Sequence, residues 1–312
     1  MGIAEFFSTI FTMKFLLMVI RQSTTLLFAA MAAFTAATTG VHNIAVEGIM
    51  NLCALFAILG SYWTQSAIGG VLVGIALGVG LALMIAYFSM ELGANRSLVG
   101  IALNTFSTSL AIFFLYQYTG SKGSSASLMA PSLGTWDIPL IKDIPVLGEI
   151  LSGHYVLTYV SWLFAIVLFI VFFKTPLGMR MRACGLNPEA ARTAGINVKA
   201  LQILALGLSG FFSAFGGIYV SLNYSKIFSK AMITGQGWMG VAANGIALGK
   251  YSSLIIATFA FGFFRAVSII FVGTKFPSEL ITAVPYIAVF VGISIISIVN
   301  YYKVKRGNVA GK

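Results

Sequence analysis

Long apolar stretches without acidic or basic side chains recur along almost the whole chain. A helix needs about 20 mostly apolar residues to cross the hydrocarbon core of a bilayer. Stretches of this kind predict membrane-spanning helices near residues 22–40, 44–63, 68–90, 98–116, 155–173, 200–222, 232–249, 254–273 and 280–300. The apolar segment 5–20 contains Lys14 and is either a further span or a helix in the membrane interface. The pattern therefore predicts an all-α polytopic membrane protein with about 8–10 transmembrane helices.

Two connections between the predicted spans are longer than the others. The loop 174–199 is strongly basic and contains a single acid, Glu189, so the positive-inside rule predicts that it is cytoplasmic. Alternation of the spans then places the other long loop, 117–154, outside the cell. The sequence predicts no soluble domain, and residues 1–312 are expected to form a single transmembrane domain.

Small residues repeat every four positions in one predicted span, at Gly70, Gly74, Gly78, Ala82 and Ala86. Residues at this spacing lie on one face of a helix, and small side chains there let a neighbouring helix approach closely in lipid. The repeat predicts tight helix packing and carries no information about function.

The composition excludes several classes of protein. Of the 312 residues, 59% are hydrophobic and 9% are charged, whereas a soluble domain has about 25% charged residues. A soluble globular enzyme and a disordered chain are both excluded on this ground. The net charge of +11 reflects the basic loops of a membrane protein rather than nucleic-acid binding. The two cysteines and two histidines are too scattered to predict a metal site.

Two glycine-rich patterns share only their spacing with nucleotide-binding motifs. The glycines of residues 235–240 have the G-x-G-x-x-G spacing, but they open an apolar helix and follow no predicted strand. Residues 245–250 are one position short of a phosphate-binding loop, and Tyr251 replaces the required Ser or Thr. The sequence therefore predicts no ATPase site in this chain.

The cytoplasmic loop contains the signals of a short, well-capped helix. Asn187 is a favourable N-cap, and Pro188 suits the first helical position. Glu189 is favourable at the positive end of the helix dipole, and Gly195 is a natural stop. Two interpretations stay open: an ordinary capped turn that orders the loop, or a rigid protrusion that docks into the groove of a partner protein.

Four segments carry a resemblance to a known family. They are T-P-L-G-M-R-M-R-A-C-G-L-N-P-E-A-A-R-T-A-G-I-N-V (175–198), G-V-H-N-I-A-V-E-G-I-M (40–50), G-L-S-G-F-F-S-A-F-G-G (207–217) and G-Q-G-W-M-G-V-A-A-N-G-I-A-L-G-K (235–250). Together they resemble the permease subunits of bacterial ABC importers for branched-chain amino acids, simple sugars and nucleosides. The resemblance extends over residues 22–300, and residues 137–151 and 283–290 are similar to the nucleoside-type members.

The resemblance implies a type II ABC importer-like permease fold with a cytoplasmic coupling helix. It also implies that the chain is the translocation subunit of an ATP-driven importer, and it favours nucleosides of the purine type as cargo. Riboflavin, a simple sugar such as ribose or galactose, and a branched-chain amino acid remain alternatives. An ion-coupled secondary transporter is a more distant alternative. The implied location is the bacterial cytoplasmic (inner) membrane.

The resemblance further implies an assembly of several proteins. Its other members are a second permease subunit, cytoplasmic ATP-binding subunits, and an extracytoplasmic substrate-binding protein or lipoprotein. ATP and Mg are expected in the ATP-binding subunits, and this chain is expected to bind no cofactor, metal or nucleic acid. Contact with the ATP-binding subunits is implied for Gly185, Asn187, Pro188, Glu189, Ala190, Ala191, Arg192, Gly195 and Ile196.

Polar and aromatic side chains inside the predicted spans are candidates for the substrate path, because polar groups are costly in lipid and usually functional there. Amides suit the hydrogen-bonding groups of a neutral nucleoside, and aromatic rings suit its base. The candidates are Asn43, Glu47, Asn104, Thr105, Phe106, Gln236, Trp238, Asn244 and Arg265. A structural role stays open as well: helix packing for the uncharged polar residues, and pairing with a backbone group or a base for Glu47. Arg265 faces the path, pairs with Glu47, contacts another subunit or extends to the interface.

Overall fold

The computed structural model describes residues 12–139, 152–271, 280–281, 283–294 and 298. Its helices, in chain order, are α1 (Met13–Ala37), α2 (Val46–Thr64), α3 (Ala67–Met90), α4 (Arg96–Thr119), α5 (Val156–Lys174), α6 (Pro176–Leu186), α7 (Pro188–Thr193), α8 (Val198–Ile218), α9 (Gln236–Ala247), α10 (Tyr251–Phe271) and α11 (Ala283–Ser294). A π-helical segment, Tyr219–Ser225, continues α8. Two short strands, β1 (Thr135–Trp136) and β2 (His154–Tyr155), pair in an antiparallel manner.

Seven helices in the described part of the chain are long and apolar enough to cross a membrane: α1 to α5, α8 with its π-helical extension, and α10. They confirm the prediction of an all-α polytopic membrane protein. Because α1 begins at Met13, the second half of the segment 5–20 belongs to the first span, and residues 1–11 lie outside the described residues. The last predicted span is described chiefly as α11.

The segment 232–249 differs from the continuous span that its apolar pattern predicts. It contains α9, a helix of 12 residues, which is about 18 Å long and shorter than the hydrocarbon core of about 30 Å. The chain reaches α9 through turns in which Lys226, Ala231 and Gly235 have positive φ angles. These left-handed residues interrupt the helical path, although their neighbours are apolar enough for a span.

The stretch 230–249 nevertheless runs from one end of the bundle to the other. The backbone N–H of Lys230 donates a hydrogen bond of 2.9 Å to the carbonyl of Gly123, in the loop after α4. Gly249, just after α9, lines a cavity together with Gly185, which lies in the loop predicted to be cytoplasmic. The crossing therefore has an irregular half, up to Gly235, and a helical half formed by α9.

The small-residue face of α3 packs closely against α2 and α8, as its four-residue repeat predicts. A Cβ atom added at Gly74 would lie 2.9 Å from Cδ1 of Ile218, and one added at Gly78 would lie 2.7 Å from Cβ of Ala214. Since interiors are close-packed, larger residues at these positions would push the helices apart. α1, which packs against α8, α9 and α10, and α2 are largely buried, whereas α3, α4 and α5 expose most of their surface.

Polar contacts between loops concentrate at the two ends of the bundle. At one end, the side-chain nitrogen of Asn223 donates to the carbonyls of Leu133 and Gly134 at 3.2 Å each. At the opposite end, near α6 and α7, Lys199 forms an ion pair of 2.6 Å with Glu91. This distribution is typical of a protein whose middle layer lies in lipid, where exposed loops are not tolerated.

Candidate functional site

Two helices that begin inside the bundle, α2 and α9, meet at the first turn of α2. The carboxylate of Glu47, in this turn, accepts hydrogen bonds from the backbone N–H groups of Gly235 at 2.9 Å and Trp238 at 3.4 Å. These groups belong to the N-terminus of α9, whose unpaired N–H groups and positive dipole end favour a carboxylate. A Cβ added at Gly237 would lie 2.5 Å from the Cα of Glu47, so the two backbones are in contact. Glu47 thus accepts hydrogen bonds from backbone N–H groups that would have no acceptor in lipid.

The non-helical connection between α1 and α2 is held by two asparagines that are substrate-path candidates. Asn43 donates to the hydroxyl of Ser209 in α8 at 2.9 Å and accepts from the backbone N–H two residues later at 3.0 Å. Asn104 in α4 accepts from the N–H of Gly48 at 2.8 Å and donates to the carbonyl of Ile44 at 2.9 Å. Both atoms of each amide therefore bind protein groups, and together they position the start of α2.

Arg265, in α10, contacts a chain of uncharged polar groups. Its Nε donates to Oε1 of Gln22 at 2.8 Å, and Nε2 of Gln22 donates to the hydroxyl of Tyr224 at 3.1 Å. Glu47 attracts Arg265 at longer range, but the two residues form no ion pair among the described residues. Arg265 therefore lies inside the subunit, with its orientation set by Gln22.

A polar cavity of about 80 Å³ lies beside Arg265. It is lined by Arg21, Gln22, Thr25, Tyr219, Val220, Tyr224, Ser225, Met232, Gln236 and Arg265. Gln236 is buried, and its Nε2 donates to the carbonyl of Met232 at 2.7 Å. The lining contains two arginines, and within the part of the chain that the structure describes it contains no carboxylate. The cavity therefore combines positive charge with amide and tyrosine groups.

The remaining substrate-path candidates lie apart from this cavity. Thr105 and Phe106 lie on the exposed face of α4, where the Thr105 hydroxyl donates to the carbonyl of Ile101 at 3.2 Å. The Trp238 side chain is 44% exposed beside the junction of α2 and α9. Asn244 lines a cavity of about 440 Å³ near α6. The candidates thus form an inner group around Glu47 and Arg265 and an outer group. In the outer group Thr105, Phe106 and Trp238 are exposed, and Asn244 lines the second cavity.

The loop 174–199, which the positive-inside rule predicts to be cytoplasmic, contains α6 and α7, in agreement with its helix signals. Oδ1 of Asn187 accepts hydrogen bonds from the N–H groups of Glu189 at 3.1 Å and Ala190 at 3.0 Å, and Pro188 is the first residue of α7. Gly195 follows the helix with a φ angle of 79°. The N-cap, the proline and the glycine therefore have the roles that the sequence predicts for them.

One side of α7 is anchored and the other is free. Ala191 packs in a small apolar cluster with Cys184 and Val198, against which Ile196 also lies. Glu189, Ala190, Arg192 and Gly195 are exposed on the remaining surface of the segment. The structure thus holds a short rigid helix on an apolar base, with mostly charged or small residues facing outward.

The segment formed by α6 and α7 also touches the connection that leads to Glu47. A Cβ added at Gly185 would overlap the carbonyl oxygen of Thr38 and lie 3.1 Å from the backbone nitrogen of Gly40, so only a glycine at position 185 allows this approach. The side chain of Gln202, in α8, donates to the carbonyl of Thr39 at 3.3 Å. Burial raises the pKa of the neighbouring Cys184 thiol. Residues 38–45 are therefore packed between the segment formed by α6 and α7 and the first turn of α2.

Gln22, Tyr224 and Ser209 belong to this arrangement, and the sequence alone did not identify them. Gln22 and Tyr224 lie at the ends of predicted spans, where polar residues are common and carry no functional signal. Ser209 belongs to a pattern of small residues that indicates packing. Among the described residues, no group of three or more His, Cys, Asp or Glu side chains is arranged to hold a metal ion.

Comparison with known proteins places this architecture in a family. Over residues 15–299 the chain matches the family described as the permease component of branched-chain amino acid transport systems. It is 29% identical to the nucleoside ABC transporter permease protein NupC of Lactococcus lactis subsp. cremoris, over 91% of this chain and 95% of that protein. It is 30% identical to the guanosine ABC transporter permease protein NupQ of Bacillus subtilis, over 78% of each. It is 28% identical to the putative glucose ABC transporter permease protein TsgC13 of Haloferax volcanii, over 80% of this chain and 75% of that protein.

A solved structure shares the fold. A chain of PsaBC from Streptococcus pneumoniae, in complex with Fab, has a TM-score of 0.54 and 16% identity, over 93% of this chain and 95% of that chain. At this identity the likeness concerns the fold alone. With its apolar spanning helices, the chain is a multi-pass protein of the cytoplasmic (inner) membrane. It belongs to the branched-chain amino acid transport system permease family, whose members here are ABC transporter permease subunits.

Proposed function

We propose that this chain is the translocation subunit of an ATP-driven importer and that its cargo is a purine nucleoside. The observation that carries the cargo assignment is the likeness, over most of both chains, to one permease named for nucleosides and one named for guanosine. The cavity beside Arg265 supports it, because amide and tyrosine groups suit a neutral, polar, aromatic cargo.

In this proposal α7 is the contact with the ATP-binding subunits. A protrusion that docks into a groove needs a fixed backbone and a free outer face. The Asn187 cap and the buried Ala191 supply the first, and Glu189, Ala190 and Arg192 supply the second. A movement of α7 would be transmitted to the substrate path through the backbone segments that pack between them. Packed elements that have two discrete arrangements transmit movement between distant sites in this way.

The proposal includes partners that the resemblance implies. ATP and Mg bind to the cytoplasmic ATP-binding subunits, and an extracytoplasmic substrate-binding protein or lipoprotein delivers the nucleoside. A second permease subunit completes the membrane part, and the exposed face of α4 with Thr105 and Phe106 is the surface that we assign to it or to the path between the two subunits. Asn244, in the cavity near α6, lies at the end from which cargo leaves.

A sugar is the second candidate cargo. The likeness to the putative glucose permease extends over 80% of this chain, at an identity similar to that of the two nucleoside relatives. Hydroxyl-rich sugars would also use amide and tyrosine partners. An aromatic base distinguishes the two cargo classes, so competition between them decides the assignment.

Uptake into vesicles containing the complete complex tests the function. Labelled guanosine is supplied outside together with the substrate-binding protein, and ATP or a non-hydrolysable analogue is enclosed. We expect uptake with ATP only, and we expect it to resist excess unlabelled glucose, ribose and riboflavin. Uptake of glucose but not of guanosine would replace the cargo assignment. Guanosine uptake that is independent of ATP would contradict the importer mechanism.

A further inference from the structure

The cavity beside Arg265 presents hydrogen-bond donors to its interior. Nε of Arg265 donates to Gln22. Among the described residues no acceptor binds the N–H groups of its two terminal nitrogens, which are left for a ligand. The Gln22 amide is oriented with its oxygen towards Arg265 and its nitrogen towards the Tyr224 hydroxyl. Because that hydroxyl oxygen already accepts a hydrogen bond, its own proton is left to donate.

A second guanidinium extends this donor surface. The Cζ atom of Arg21 lies 4.9 Å from the ring centroid of Tyr155. Its Nε is buried and has no hydrogen-bond partner among the described residues. Buried donors in native proteins almost always have a partner, from the protein, from water or from a ligand. Two arginines facing one cavity without a lining carboxylate therefore indicate a ligand that offers acceptors.

The size of the cavity defines how much of a ligand it takes. About 80 Å³ is room for a few waters and is well below the roughly 300–1,000 Å³ of pockets that enclose a whole small molecule. The cavity thus receives one edge of a ring and leaves the remainder outside. Tyr219 and Tyr224 belong to its lining and provide aromatic surface beside that edge.

We propose that this cavity binds the nucleobase edge of the cargo and selects 6-oxopurine nucleosides, with Arg265 as the specificity-determining residue. The inference rests on the proposed function. Guanine and hypoxanthine present two acceptors side by side, O6 and N7, which an arginine fork binds in a bidentate manner. Adenine carries an amino donor in place of O6, and this donor would face the donors of Arg265. The oxygen of Gln236, whose nitrogen alone is bonded within the described residues, suits the N1–H of a 6-oxopurine.

An amino acid carboxylate is the other ligand chemistry that an arginine fork binds. Its ammonium group would then need a nearby carboxylate. Glu47 is the carboxylate whose charge reaches Arg265, but its oxygens accept hydrogen bonds from the N-terminus of α9. This arrangement favours the uncharged base edge, and the experiment below includes leucine to separate the two.

The test is competition for labelled guanosine uptake by the complete complex in proteoliposomes. The unlabelled competitors are inosine, 7-deazaguanosine, adenosine, leucine and glucose. We expect inosine to compete as well as guanosine. 7-Deazaguanosine, which lacks N7, and adenosine should compete about tenfold more weakly, as expected for loss of one bidentate pair. The same substrate-binding partner is present throughout, so its own preference cancels when permease variants are compared.

Variants then assign the selectivity to Arg265. R265Q should lower the ratio of guanosine to adenosine uptake about tenfold, and R265K should do the same because it keeps the charge without the fork. Q22E should act in the same direction, because a carboxylate at this lining position would compete for the N–H groups of Arg265 and repel the acceptors of the base. R96Q, which changes an arginine outside the cavity, should keep the wild-type ratio. Size-exclusion profiles and basal ATP hydrolysis establish that each complex is assembled.

The outcomes separate this inference from the proposed function. Equal uptake of guanosine and adenosine by the wild type, or an unchanged ratio in R265Q, overturns the assignment of Arg265 and leaves a nucleoside importer. ATP-dependent uptake of leucine or glucose without any nucleoside uptake overturns the proposed function itself. Should R265Q and Q22E both fail to assemble, the ratio of guanosine to adenosine uptake in R265K, which keeps the charge, decides the assignment against the wild type with the same substrate-binding partner.

Discussion

Oε1 of Glu47 accepts a hydrogen bond of 2.9 Å from the backbone N–H of Gly235, which lies 188 positions later in the chain. This bond ties the first turn of α2 to the N-terminus of α9. Both helices begin inside the bundle after non-helical segments, as in transporters whose discontinuous helices surround the substrate site. In this structure the carboxylate of Glu47 therefore fixes the position of α2 relative to α9.

Removal of the Glu47 carboxylate should weaken both the fold and transport. In E47A two backbone amides lose their acceptor, so we expect the free energy of unfolding to fall by about 1–3 kcal/mol and ATP-dependent uptake to be largely lost. E47Q retains one acceptor oxygen and should be intermediate. Thermal unfolding of the purified complex and vesicle uptake measure the two effects. E91Q is the matched control, because Glu91 belongs to an exposed ion pair worth about 0–1 kcal/mol. Wild-type uptake in E47A would contradict a role in transport.

Two glycines of α9 should respond oppositely to alanine. The Cβ of G237A would lie 2.5 Å from backbone of Glu47, which has no flexible group to move aside, so the junction of α2 and α9 should open and the melting temperature should fall. G245A meets nothing within 4 Å, so the higher helix propensity of alanine should stabilise α9 by up to about 1 kcal/mol. Differential scanning calorimetry on both variants checks the contrast. Equal melting temperatures would show that the contact at Gly237 is loose.

Neighbouring polar residues of α4 should differ in their effect on stability. N104A removes an acceptor from the N–H of Gly48 and a donor from the carbonyl of Ile44, and we expect it to cost about 2 kcal/mol. T105A changes an exposed side chain that bonds only its own helix, and surface changes of this kind stay within about 0.5 kcal/mol. Chemical unfolding in detergent gives both values. If T105A lowered the free energy of unfolding more than N104A, the exposed face of α4 would make a stabilising contact with another subunit.

Exchange of the two charges on α7 tests its contact with the ATP-binding subunits. The double variant E189R/R192E keeps the net charge but reverses the pattern on the exposed face, so less ATP-binding subunit should co-purify and uptake should fall. Reversal against the helix dipole also costs about 0.3–1 kcal/mol per charge. N187A is therefore the control, because loss of the cap weakens α7 by about 1 kcal/mol without changing its charge. Co-purification that is normal in the exchange variant, or equally reduced in N187A, would count against docking through these charges.

Alkylation of Cys184 should report the packing of the segment formed by α6 and α7. Because burial raises the pKa of this thiol above its ordinary value, the reactive thiolate is scarce at neutral pH. In a C53S background, the rate of reaction with iodoacetamide should keep rising above pH 8.5, where the rate for free cysteine begins to level off at its pKa of about 8.5. A levelling-off at or below that pH would show that Cys184 is solvated. Loss of the α7 cap in N187A should increase the rate.

The features that depend only on residues close together in the sequence could be predicted from the sequence. Apolar stretches of sufficient length predicted the spans. Backbone N–H and C=O groups without partners are costly in lipid, and an isolated segment can pair all of them only as a helix. The cap at Asn187, the start at Pro188 and the stop at Gly195 are likewise local, since each bonds or turns the chain within a few positions. The repeat in α3 indicated close packing, because small residues four apart share one face of a helix.

Tertiary structure alone decided which polar residues meet and where a span is interrupted. Gln22 and Arg265 are separated by 243 positions, and no local pattern encodes their contact. The apolar residues around Gly235 suit a continuous span as well as a broken one. The break exists because Glu47, on another helix, supplies acceptors for the N–H groups exposed there. Asn104 and Thr105 are equally polar neighbours, but adjacent residues of a helix face different directions, so one holds α2 and the other faces outward.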